Sequence, residues 1–210
     1  MSRSFGEIEF DFQEGKGFVA TGQVLNILRG HLARNEIKEA ADLYSKCKED
    51  FGEQLLADTK TSSAATKEAL AQMFLMSRDF KRASEVYLAS GNIRKAAELA
   101  EQNYDLSQAA EMFIQAGDQS RAAHLYEKNL DFERAAKIFM NIKEYERAAD
   151  NLERAERFMD AVKIFLKLKK IARAVDTLQR VGSSSPDYAQ ATILLGDILE
   201  KANQQKMALQ

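Results

Sequence analysis

The sequence predicts an all-α protein: a right-handed α-solenoid of stacked short helical hairpins. Three observations predict it. A thirteen-residue period runs without interruption through half of the chain. Within each period the apolar residues fall on one face of a helix. Residues that break helices are scarce, with one proline, Pro186, and ten glycines in 210 residues, while the strong helix formers Ala, Leu, Lys, Glu and Arg abound.

The period runs from Asp79 to Gly182 as eight blocks of equal length. The fifth position is always alanine: Ala83, Ala96, Ala109, Ala122, Ala135, Ala148, Ala161 and Ala174. The sixth is small: Ser84, Ala97, Ala110, Ala123, Ala136, Ala149, Val162 and Val175. At 100° per residue, positions 2, 5, 6, 8, 9 and 12 gather on one broad face. Asp79, Asn92, Asp105, Asp118 and Asp131 open five of the blocks, and such side chains accept from an orphan amide of a first helical turn. Each block is therefore expected to be one helix of about ten residues and a tight turn. Gly91, Gly117 and Gly182 are expected to close helices in the left-handed conformation.

The tenth position separates two helix classes. It is Leu88, Ile114, Met140 and Leu166 in one, and Glu101, Glu127, Glu153 and Gln179 in the other. Wide-faced helices, expected to be buried on more sides, alternate with narrow-faced ones. The unit is thus a hairpin two blocks long, repeated over 79–104, 105–130, 131–156 and 157–182. One hairpin cannot bury its own face, whereas stacked neighbours can.

The solenoid is predicted to span residues 21–182. Gln23–Asn35 and Glu36–Lys48 fit the block spacing. A connector near 49–63 breaks the register, with a short helix at Phe51–Ala57, and Thr66–Met76 partners the first block. Residues 1–20 form an N-terminal arm, disordered or extended, because Ile8, Phe10 and Phe12 alternate with polar residues. After Ser183–Pro186, residues 187–203 are predicted to form a capping or dimerisation helix. The sequence is expected to be a piece of a longer protein.

Composition narrows the function. The formal net charge is -2, and nucleic-acid binders usually carry a basic excess. A lone cysteine, Cys47, forms no intrachain disulfide and no multi-cysteine zinc site. The reading is of a reduced, cytoplasmic protein with no membrane insertion. No phosphate loop, nucleophile elbow or metalloprotease motif occurs. No enzymatic activity, cofactor or metal is expected, and no catalytic residue is assigned.

Gly117-Asp118 with Ala122, Ala123, Leu125 and Tyr126, and Asp131-Phe132 with Ala135, Ala136, Ile138 and Phe139, resemble the second helix of a tetratricopeptide repeat. The shorter unit and the missing closing proline bring the pattern nearer to short-helix arrays of vesicle-coat, intraflagellar-transport and SNAP-type adaptors and of bacterial signalling proteins. The resemblance implies a protein-binding α-solenoid without chemistry. No positions match the family's peptide-carboxylate clamp.

The leading expectation is a non-catalytic protein–protein interaction scaffold or adaptor. The alternatives are an oligomerisation or structural module of a longer signalling protein and, third, a nucleic-acid-binding helical repeat. Glu101, Glu127, Glu153 and Gln179 should form a ladder on one surface, either a docking stripe for a basic segment or a solvated edge. The same helices carry Lys95, Arg121, Arg147 and Arg173 at the fourth position, expected to pair locally three residues on. Lys163, Lys167, Lys170 and Arg173 lie in a basic stretch that an acidic segment could dock on. Tyr188, Leu195, Ile198 and Leu199 are the candidates for self-association as a homodimer.

Overall fold

A computed structural model describes residues 17–47 and 49–208. The expected arm lies outside them as far as residue 16. All regular structure among the described residues is helical, in thirteen helices. Helix α1 (Gly17–Ala33) and α2 (Ile37–Lys46) come first, then the short α3 (Gly52–Asp58) in the connector and α4 (Ala64–Met76). The blocks supply α5 (Phe80–Ala89), α6 (Ile93–Gln102), α7 (Leu106–Gln115), α8 (Gln119–Lys128), α9 (Phe132–Asn141), α10 (Tyr145–Arg154), α11 (Phe158–Lys167) and α12 (Ile171–Gln179). The last is α13 (Tyr188–Ala208). Among the described residues no helix is long and apolar enough to cross a membrane.

The chain forms two compact units, residues 1–99 and 100–210. In the first, α2 packs on α1 and α4, α4 on α5, and α3 on α5. Leu28, Ala40, Phe74 and Val86 are fully buried there. Ser84, which takes the sixth position in α5, is buried too. It donates to the carbonyl of Ala96 at 2.7 Å, so its burial leaves no unmet polar group. In the second unit, each helix from α7 to α13 packs on the next in sequence, as in a solenoid. Its core is a column of phenylalanines, Phe113, Phe139 and Phe165, between the invariably buried alanines of positions 5 and 6. Alanine at both positions lets helix axes approach to roughly 8–10 Å.

The turns explain the block length. Arg78, Gly91, Tyr104, Gly117, Leu130, Lys143, Glu156 and Lys169 all have φ between 57° and 81°, and they recur once per block. The amide after each reaches back five residues: Asp118 to Phe113 O, Glu144 to Phe139 O and Lys170 to Phe165 O, each at 2.8 Å. This is the Schellman closure, which satisfies carbonyls that the helix end orphans. Only two of the eight are glycine. Gly182, expected to do the same, has no positive φ. Four of the five expected caps form, with Asp79, Asn92, Asp118 and Asp131 accepting from the amide three residues on. Asp105 accepts instead from the Asn103 side chain at 2.6 Å. Ser63 caps α4.

A non-glycine residue in the left-handed region costs roughly 1–2 kcal/mol, and glycine returns about 0.5–1 kcal/mol of that as chain entropy. Leu130→Gly is therefore expected to raise the thermal midpoint by ~1–3 °C, and Leu130→Val, branched at Cβ, to lower it. Calorimetry on the two variants checks both signs.

Candidate functional site

In the second unit the narrow-faced helices α8, α10 and α12 are joined by polar contacts between repeats. Arg121 donates to Glu101 through Nε and Nη2, at 3.2 and 2.8 Å. Arg173 donates to Glu153 at 2.7 Å and to Asp150 at 2.7 Å, and these two carboxylates hold its guanidinium pKa above the ordinary value, Asp150 first. The Thr177 hydroxyl is placed 2.6 Å from Glu153 and 2.7 Å from the Arg173 carbonyl, and Arg180 completes the group at 3.2 Å from Glu153. Glu153 is only 12% exposed. An acid at position 10 therefore grips position 4, and in the last repeat position 8, of the next narrow helix.

The middle rung is built differently. Glu127 accepts from Asn151 Nδ2 at 2.7 Å, and His124 stands between Glu127 and Arg147, with Nδ1 3.0 Å from Glu127 and Nε2 3.1 Å from Arg147 Nη1. Arg147 can only donate, so Nε2 accepts and Nδ1 carries the proton. Asn151 is buried, and its Oδ1 has no hydrogen-bond partner among the described residues. The group lines an open polar cleft of about 480 Å³ with Asp150, Glu153, Arg154 and Arg180.

The basic fourth positions have a second contact each. Arg121 lies over Phe113 at 4.3 Å, Arg147 over Phe139 at 5.5 Å and Arg173 over Phe165 at 4.6 Å. In the first unit Lys95 repeats this over Tyr87 at 4.8 Å. Each base thus stacks on the aromatic at position 9 of the helix before it, a contact worth about 0.5–1 kcal/mol at exposed sites. For Arg173 the expected ion pair within its own helix gives way to pairs with the preceding repeat.

Of the remaining candidates, Gln179 is exposed. Lys163 pairs with Asp160 at 3.0 Å and Lys170 with Glu146. With Arg173 also engaged, Lys167 alone of these four bases is exposed with no carboxylate partner among the described residues. Leu195 and Ile198 pack against the core around Leu178, Val181 and Ala191, while Tyr188 and Leu199 are exposed, at 45% and 53%. Three of the four tenth positions of the wide class are also exposed: Leu88 and Ile114 at 40% and Met140 at 39%. Their broader apolar face is not buried on more sides, because neighbouring helices cover positions 8 and 9 and stop short of position 10.

Sequence reasoning missed Asn151 and Thr177. Their signal was available: position 8 of this class is Leu99 and Leu125 in the earlier blocks, so a polar residue there breaks an apolar column. Among the described residues no three His, Cys, Asp or Glu side chains converge as metal ligands would.

The first unit holds a separate polar cluster. Tyr44 donates to Asp79 at 3.2 Å and accepts from Arg82, which also pairs with Asp79 at 2.7 Å and with Asp50. Burial pushes the Tyr44 hydroxyl up to about 12. Burial, with donation to Glu68 at 3.0 Å, does the same to Tyr87. Burial also raises the Cys47 thiol above its ordinary value, which leaves little thiolate at neutral pH.

No protein-family model, curated protein or solved structure matches the chain. Fold and surface define the class: a helical repeat protein.

Glu153→Gln is expected to destabilise the chain by about 1–3 kcal/mol, the scale of hydrogen bonds to a charged group. Glu101→Gln should cost less, nearer ~0.5–1 kcal/mol, because that pair is more exposed; urea denaturation of both variants checks the order. Between pH 10 and 12 the unfolded chain has ionised Tyr44 and Tyr87 while the folded chain retains both protons, so stability must fall as pH rises through that window. Ultraviolet titration should show two of the six tyrosines ionising near 12, and Tyr44→Phe/Tyr87→Phe should flatten the alkaline loss.

Proposed function

We propose that this chain is a non-catalytic protein–protein interaction scaffold of the tetratricopeptide-like kind, acting in the cytoplasm. The observation that carries the reading is one surface repeated on successive helices. In the second unit the core and the narrow row use every block's alanines, the wide blocks' phenylalanines and the narrow blocks' fourth-position bases. The wide helices still present an apolar side chain at the tenth position, exposed at Ile114 and Met140 and half-buried at Leu166. Repeated surfaces of this kind suit extended partners, since each repeat adds a similar increment of contact. Gly117-Asp118 and Asp131-Phe132, each leading into an Ala-Ala pair, support the tetratricopeptide likeness. The single cysteine supports a reducing compartment.

Placement of a photo-crosslinking residue at Ile114, Met140, Lys167 and Gln179 of the full chain, in extract of the native cell, tests the reading. Discrete adducts at a subset of these positions, competed away by unlabelled chain, are expected. Absence of a competable adduct at every position would overturn it.

The exposed Tyr188 and Leu199 favour a second reading, an oligomerisation module. Sedimentation equilibrium separates the two. A monomer at micromolar concentration is expected for a scaffold, whereas a dimer broken by Tyr188→Asp/Leu199→Glu would move the assignment to self-association.

A further inference from the structure

The two helix classes differ at position 10, and the structure accounts for half of that difference. In the narrow class the acids Glu101, Glu127 and Glu153 tie one repeat to the next. In the wide class Ile114 and Met140 remain about two-fifths exposed, and Leu166 is half-buried against the core. The ion pairs Arg134–Glu111 at 3.8 Å and Arg157–Glu133 at 3.1 Å join α7 to α9 and bring the start of α11 to α9. The three aliphatic side chains therefore form a row across adjacent helices, one per hairpin. Internal packing leaves the outer part of that row uncovered.

Glu111 lies one turn before Ile114 and pairs with Arg134 at 3.8 Å, whereas lysines surround Met140 and Leu166. Lys137 lies one turn before Met140, and Lys163 one turn before Leu166. Lys143 and Lys169 follow in the closing turns, and Lys167 adjoins Leu166. Among the described residues Lys137, Lys143, Lys167 and Lys169 pair with no carboxylate. The acids on these helices are occupied: Glu111 by Arg134, Glu133 by Arg157 and Asp160 by Lys163. A chain of net charge -2 thus keeps these unpaired lysines beside its uncovered aliphatic row.

We propose that the face made by α7, α9 and α11 docks an acidic amphipathic helix of a partner protein. Its apolar stripe would rest on Ile114, Met140 and Leu166, and its carboxylates would meet Lys137, Lys143, Lys167 and Lys169. Aliphatic knobs give bases no stacking platform, which sets nucleic acid aside. The proposal rests on the scaffold reading and names the partner's chemistry.

The test titrates the full chain against a fluorescein-labelled peptide of about 20 residues, ~30 Å long as a helix, with leucine along a heptad stripe and glutamate at most other positions. Micromolar binding is expected. Ile114→Ser/Met140→Ser, and separately Lys137→Glu/Lys143→Glu/Lys169→Glu, should each weaken it at least tenfold while helicity by circular dichroism is unchanged. A peptide with lysine in place of glutamate should not bind. No binding, or binding that both sets of substitutions leave intact, overturns the proposal. So does adsorption to phosphatidylserine vesicles that depends on these residues when the peptide fails to bind. If the peptide fails while a competable crosslink still forms at Gln179, the scaffold reading stands without this face. If crosslinks fail everywhere as well, both fall.

Discussion

Each helix from α4 to α11 is stopped by a residue in the left-handed region, and the regularity of the blocks depends on that stop. The reversed φ sends the next amide back five residues and ends the helix about three turns after it began. With α5 to α11 each cut to ten residues, equivalent side chains recur one block on. Within the second unit a column of alanines or phenylalanines can then run from repeat to repeat. One extra residue before any stop would rotate the following helix by about 100° and turn its alanine seam away from its neighbours. The six non-glycine residues in these stops carry local strain so that this phase is kept, and the packing of the buried columns offsets it.

On that regular frame, polar contacts distinguish one repeat from another. The rung from Glu101 to Arg121 is a simple ion pair. The rung at Glu127 replaces it with an imidazole between carboxylate and guanidinium and a buried carboxamide. The rung at Glu153 gathers two arginines and a threonine. A buried acid of this kind is tolerable only when hydrogen bonds replace its lost hydration, and Glu153, the most enclosed of the three, has the most donors. Asn151 meets that condition incompletely, since its Oδ1 has no partner among the described residues. The middle rung is where the polar seam is least satisfied.

Much of this architecture was legible in the sequence. The alanine column set the register of α5 to α12, aspartate or asparagine marked five of the eight block starts, and the class difference at position 10 was visible as letters. The stops were harder to read. Arg78, Tyr104, Leu130, Lys143, Glu156 and Lys169 are ordinary residues that tertiary packing holds at positive φ, so only Gly91 and Gly117 announced themselves. The partners of Glu101, Glu127 and Glu153 were hidden for another reason. They lie most of a hairpin further along the chain, and one-dimensional spacing shows neighbours on a helix better than neighbours across a stack. The acidic letters looked like a stripe facing outward, whereas their carboxylates are engaged with the next hairpin. The lysine-rimmed aliphatic row was present in the same letters, but only solvent exposure separates it from core.

The rungs of the second unit join each hairpin only to the one beside it, and this has a mechanical consequence. A chain held together by such near neighbours has no long-range clasp to break first. Under tension residues 100–210 would yield hairpin by hairpin, each step releasing about 90 Å of contour at some 3.5 Å per residue. Between steps the remaining hairpins would keep their own contacts. Such a module would extend under load in graded increments and rewind from whichever repeats stay folded.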